Sequence, residues 1–269
     1  MNSGQRFRIE ISLIFRIIEL INQGMTSFEK LKDTLGLGKN KIETYKDYLR
    51  ILDLIEYDKS EISITNFGQI ILKLRYNPEV AQSLLYYKLC RGYESNGHFY
   101  YSRLANDILF EIAFRADNTI TNKQIREKIV EFKDDIPNVN VEDVKKLISQ
   151  AASTLADESD GFGRLGILKK IEKEKYIVNY FKPHYLICAY IIYDKWPKGD
   201  TAVDFDYIIK GSYNLRKLFF LFPEDIHGIF SKLEQEKYLI IESRAGLNQV
   251  VKNPKITTDI ILEAITNAC

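Results

Sequence analysis

The stretch with most chemical promise is Leu35-Gly36-Leu37-Gly38-Lys39-Asn40, a glycine-lysine loop that runs into a helical pattern. Such a loop can cradle a nucleotide phosphate, or it can be the tight turn that aims a helix into DNA. A Walker-type loop needs a strand before it, wider glycine spacing, and Ser or Thr after the lysine to hold magnesium. Here the preceding segment is helical, the glycines are two apart, and Asn40 follows Lys39. The dinucleotide fingerprint fails as well, because there is no third glycine and no entry strand. The nucleotide reading is excluded, which leaves a DNA-facing turn or a structural helical hairpin.

If Ile42, Tyr45, Leu49 and Leu52 form the buried face of the helix after this turn, Lys39, Asn40, Glu43, Thr44, Asp47 and Arg50 face outward. Lys39, Asn40 and Lys41 then occupy the first turn, where a recognition helix meets base edges and phosphates. The candidate DNA-binding residues are therefore Lys39, Asn40, Lys41 and Arg50, joined by Arg244 near the tip of a C-terminal ribbon. Glu43 and Asp47 on the same face oppose a polyanion. Residues 1–76 carry 12 Lys/Arg and 10 Asp/Glu, a balance of only +2.

Signals for a catalytic centre are weak. Metal-dependent nicking needs clustered carboxylates, usually with a lysine. The acid-x-lysine pattern occurs as Glu131-Phe132-Lys133 and Asp143-Val144-Lys145, yet both lie on expected helices and read as solvated faces. His98, His184 and His227 stand alone, without metal-ligand spacing. His98 has Tyr100, Tyr101 and Arg103 beside it, which suits either a base-stacking groove or a packed core helix, and the core reading is favoured.

The elements that must position these residues follow from periodicity. Phe7, Ile11, Ile14, Phe15, Ile18 and Ile21 form one helical stripe. Thr26 with Glu29 is a capping box for a helix over about 27–34. Two short strands, IEYD and EISI, flank a Lys-Ser turn, and Thr65 caps the next helix. Pro78 opens a further helix, residues 98–116 are aromatic-rich and helical, and ITNKQIREKIVEF and VNVEDVKKLISQAASTL are two more helices. ILKKIEKEKYIV is a hairpin turning at Lys173-Glu174, and PHYLICAYIIYDKW an apolar helix. A helix from Pro223 leads into a ribbon turning at Arg244-Ala245-Gly246. The expected fold is mainly α with small β ribbons. It has an N-terminal winged helix-turn-helix over 1–76, a helical middle over 77–158, and a mixed C-terminal part over 159–269 that ends in a second winged-helix-like unit.

Composition bounds the rest. In 269 residues, 38 basic and 37 acidic side chains nearly cancel, so a nucleic-acid site must be a local patch. Three scattered cysteines, Cys90, Cys188 and Cys269, suggest no disulfide framework and fit a reducing cytoplasm. Neither a signal peptide nor a transmembrane span is readable, so a cytoplasmic protein without membrane partners is expected.

LGLGKNKIETYKDYLRILDLIE resembles the opening helix of a bacterial family first catalogued as a domain of unknown function. That family accompanies DNA phosphorothioate-modification genes and includes the SspB-like proteins. ITNFGQIIL with NPEVAQSLLYYKL, LGILKK with YFKPHYLICAYIIYD, and FFLFPEDIHGIFSKLEQEKYLIIESRAGLNQVV fit in order. The resemblance implies a DNA-binding accessory component of a restriction-modification-type phage-defence system that replaces a phosphate oxygen of DNA with sulfur. Its implied partners are double-stranded DNA and the pathway's ATPase, sulfate-reductase-like protein and cysteine desulfurase. It also implies a candidate nickase activity, for which Mg or Mn would be the cofactor. Two family histidines have no counterpart here: GQRFRIE lacks one at the opening, and Tyr86 replaces another. The alternatives are a winged-helix transcription regulator and a protein-interaction scaffold of a defence complex.

Overall fold

The computed structural model describes residues 7–58, 61–92, 97–135, 140–210, 215–244 and 247–268, which form two compact units, 1–179 and 180–269. The fold is mainly helical with small antiparallel sheets. No helix among the described residues is long and apolar enough to cross a membrane.

The first unit opens with α1 (Ile11–Asn22), α2 (Phe28–Leu35) and α3 (Lys39–Ile51). The α1 stripe buries Ile11, Ile14, Ile17, Ile18, Leu20 and Ile21. Phe7 lies ahead of the helix and Phe15 is only half-buried, so the expected stripe holds except at its aromatics. Ser27, not Thr26, caps α2, its hydroxyl accepting from Lys30 N–H at 3.3 Å. Thr26 instead offers its carbonyl to Ile62 N–H at 3.0 Å, which keeps it extended and delays the helix by one residue. Gly36 ends α2 at φ 63°, ψ 30°, a left-handed conformation that glycine adopts without penalty.

The ribbon β1 (Ile55–Asp58) and β2 (Glu61–Ile64) follows, paired from Ile55↔Ile64 to Asp58↔Glu61. Thr65 caps α4 (Asn66–Lys73), as expected, accepting from Gly68 N–H at 2.9 Å. A side chain at Gly68 would collide with the Leu54 carbonyl oxygen and with Ile64 Cγ1, so helix and ribbon pack backbone against backbone. Next, α5 (Pro78–Cys90) is buried on every side, with its run Val80 to Cys90 enclosed throughout. A helix buried on every side, even with Gln82, Ser83 and Lys88 on it, is the centre of its unit.

The chain continues as α6 (Phe99–Arg103), wider π-turns over Leu104–Leu109, and α7 (Phe110–Ala113). The expected all-helical middle is interrupted. Thr119–Thr121 forms strand β3 before α8 (Asn122–Ile129) and α9 (Val141–Ala156), because it pairs with the distant hairpin strand β5. That hairpin, β4 (Leu168–Glu172) and β5 (Lys175–Val178), turns at Lys173-Glu174 and gives sheet order β3-β5-β4.

The second unit is built on α10 (Tyr185–Asp194), buried from Leu186 to Tyr193. It adds β6 (Ala202–Asp204), α11 (Phe205–Lys210), α12 (Leu215–Phe219), α13 (Pro223–Gln235), β7 (Leu239–Arg244), β8 (Leu247–Lys252) and α14 (Thr258–Ala268). The expected two-stranded ribbon β7–β8 gains β6 as a third strand, in order β6-β8-β7.

Candidate nucleic-acid interface

The α2–α3 turn is held from behind. Ile42, Tyr45, Tyr48 and Leu49 are buried, as are Leu52 and Leu54 beyond the helix. The Tyr48 hydroxyl donates to the Phe7 carbonyl at 2.8 Å. Tyr45 Oη accepts from Glu10 N–H at 2.9 Å and donates to the Arg8 carbonyl at 3.3 Å. Burial raises both phenols' pKa, so they stay neutral donors. With its inner side fixed to residues 7–10, α3 can present only its opposite side to solvent.

That outer side places the expected residues unevenly. Lys39 and Asn40 are exposed at the first turn. Gly38 caps the helix without a side-chain hydrogen bond, and both Lys41 and Ile42 N–H turn to its carbonyl. The Lys39 and Asn40 N–H groups therefore point out of the helix end, where the backbone dipole favours an anion. Lys41 differs: it is half-buried, with Nζ on the Glu10 carboxylate at 2.9 and 3.1 Å. Thr44, expected outward, is 1% exposed, because its hydroxyl turns back to the Asn40 carbonyl at 2.9 Å. Asp47 is half-buried, and burial raises its pKa. Glu43 remains on the open face.

Arg50 is exposed and lies over the Tyr57 ring at 5.8 Å from its centroid. Lys46, absent from the sequence-based set, sits 5.7 Å from both Tyr57 and Phe28. Its place four residues before Arg50 on one helical face was the signal available. These cations tie α3 to β1 and α2 through aromatic faces while their charged ends stay near solvent. Tyr57 has its pKa pushed up to about 12, mainly by burial. The Arg244 side chain lies outside the described residues, although its backbone pairs with Leu247 at the end of β7.

At the back of α3, Asp53 adopts φ 56° and joins a charged cluster with α5. Its carboxylate lies 2.7 Å from Arg91 Nη1 and 3.0 Å from Lys88 Nζ. Burial pushes its pKa up, but the hydrogen bonds and charges of Arg91 and Lys88 outweigh it and hold the group below its usual range. Lys88 and Arg91 have side chains only 3% and 8% exposed. The cluster anchors the α3–β1 corner and does not face solvent as a cationic patch.

The histidines divide as their isolation suggested. His98 is 4% exposed among Tyr48, Tyr100 and Tyr101, in a packed core. His184 caps α10, its Nδ1 accepting from Leu186 N–H at 3.4 Å, and His227 stacks on Phe205. Glu131 and Asp143 lie on helical turns, and Lys145 pairs with Glu142 at 2.9 Å. Lys133 has its side chain outside the described residues. Among the described residues no three His, Cys, Asp or Glu side chains converge in a way that would hold a metal ion. Asp157 and Asp160, three residues apart, are occupied by Arg8 and Ser159, and by Ser12, respectively.

The model of a family described as "Protein of unknown function (DUF4007)" matches residues 15–265. Among solved structures, a "Magnesium ion-bound SspB crystal structure" superposes with a TM-score of 0.74 at 13% identity, covering 99% of this chain and 87% of that one. An "SspB crystal structure" gives 0.71 at 12% identity, with 98% and 86% covered. At this identity the likeness is one of fold. No curated protein matches the sequence.

Proposed function

The chain belongs to the DUF4007 family, and from that premise we propose that it is a DNA-binding accessory component of a DNA phosphorothioate-modification system in phage defence. The module is a winged helix-turn-helix within residues 1–76, with α3 as the recognition helix and β1–β2 as the wing. One observation carries the reading. Lys39 and Asn40 stand exposed at an α3 end whose first N–H groups are uncapped, which suits a backbone phosphate. Arg50, and Arg244 in the second unit, add contacts, while Lys41, held by Glu10, serves more to orient the turn. The shared SspB fold supports the pathway and its sulfur-handling enzymes as partners. The magnesium ion is a feature of that SspB crystal. In this chain the arrangement favours holding DNA, with cleavage or sulfur insertion supplied by a partner.

The test is fluorescence anisotropy with a labelled duplex between 50 and 200 mM salt. Wild type is expected to bind with a steep salt dependence, and Lys39→Glu to weaken binding about tenfold at the lower salt. Equal affinity of the two proteins would remove α3 as the contact.

A further inference from the structure

The order strand, helices, ribbon occurs in both units. β3, α8, α9 and β4–β5 repeat the plan of β6, α11 to α13 and β7–β8, with the leading strand beside the last one each time. By this plan β4–β5 stands where a winged module carries its wing. Its composition is unusual for this chain. Lys169, Lys170, Ile171, Glu172, Lys173 and Glu174 are all exposed, and Ile171 is 45% accessible. A bulge between Lys170 and Glu172 leaves Ile171 out of the pairing.

Some cations elsewhere are committed: Lys41, Arg103, Lys128, Lys145 and Lys232 each hold a carboxylate at 3.0 Å or less, while Lys39 and Lys146, like the ribbon lysines, hold none among the described residues. Lys169, Lys170 and Lys173 make no ion pair among the described residues. Lys170 stands opposite Tyr176 in the hairpin register, and both line an open cleft of about 540 Å³ with Arg8, Ser153, Asp157 and Ser159. Arg8 reaches Asp157 at 3.0 Å, and Ser12 binds Asp160 through N–H and hydroxyl at 2.6 and 2.7 Å. On its other side this same segment carries Glu10, which is bonded to Lys41 and Tyr45. The α3 turn, segment 8–12 and the cleft wall are thus bonded in succession within the first unit, and the basic ribbon borders the same cleft.

We propose that the β4–β5 ribbon is a second contact for duplex DNA, with Lys169, Lys170 and Lys173 seated on backbone phosphates. The assignment rests on the DNA-binding reading above and extends it to a site the α3 turn does not include. Lysines on an edge strand also guard against strand pairing, and that role would leave DNA binding untouched. The decisive variant is the full chain with Lys169→Gln, Lys170→Gln and Lys173→Gln, measured with the same labelled duplex across the same salt range. Removing three lysine–phosphate pairings should make the log–log salt slope shallower by about 3, and the charge-preserving triple Lys→Arg should keep it. Should wild type bind, Lys39→Glu weaken binding, and the Gln triple keep the wild-type slope, the ribbon is excluded while the α3 reading stands. Absence of wild-type binding at every salt overturns both.

Discussion

Replacing His98 with Phe should stabilise the first unit, and more so in acid. The ring is 4% exposed, with aromatic centroids of Tyr101, Tyr48 and Tyr100 at 5.0, 5.7 and 5.9 Å. Neither nitrogen has a hydrogen-bond partner among the described residues. Burial pulls its pKa from the ordinary 6.5 down to about 4. For a base shifted this way, the unfolded chain takes up the proton first as pH falls. The folded state is therefore undiminished above about 6.5 and loses stability between there and 4. At pH 5 the two pKa values correspond to a loss of about 2 kcal/mol. Phe has a similar shape, cannot titrate, and removes two unmade hydrogen bonds. It should add about 1–2 kcal/mol at pH 7.5, and the gap should widen by a further ~2 kcal/mol at pH 5. Urea unfolding of both proteins at the two pH values, with matched m-values, reads this directly. A gap that is the same at pH 7.5 and pH 5 would refute the reasoning, because it would mean that His98 takes up its proton equally in both states.

Two further outcomes follow from the α3–β1–α4 corner. Gly68→Ala should cost about 2–3 kcal/mol, since the methyl meets the Leu54 carbonyl and the Ile64 side chain and the backbone must shift. A thermal midpoint within a degree or two of wild type would show the corner to be looser than its packing. Asp53→Asn should cost about 2–3 kcal/mol by taking the negative charge from Lys88 and Arg91. Asn tolerates the φ of 56° at this position, so chemical denaturation would report the lost charge and the lost acceptor for Arg91, and not backbone strain. An unchanged midpoint would count against the cluster as an anchor.

What could be read in the sequence was local. Thr65 and Pro78 mark helix starts, and Lys173-Glu174 marks a turn, because each acts on its own neighbours within a few residues. The phase of α3 likewise foretold Lys39 and Asn40 as exposed. Long-range partners decided the rest. Ile120-Thr121 reads as the start of α8, and Thr121 does cap it, yet the strand pairing of 119–121 depends on Lys175 to Ile177 far along the chain. β6 is hidden for the same reason, its partners being Gln249 to Val251. Lys41 has the same residue type as Lys39, but Glu10, 31 residues earlier, claims its charge. Lys169, Lys170 and Lys173 were legible as part of a hairpin, whereas their lack of an ion pair among the described residues depends on distant neighbours.

The two phenols behind α3 separate what holds the helix from what it presents to solvent. Tyr45 and Tyr48 fix its pose through the backbone of residues 7–10, so the outward positions 39, 40 and 43 carry little of the packing energy. Substitutions there are free to drift without unfolding the unit. On the proposed DNA-binding reading, a chain built this way can change its target in small steps while keeping one scaffold.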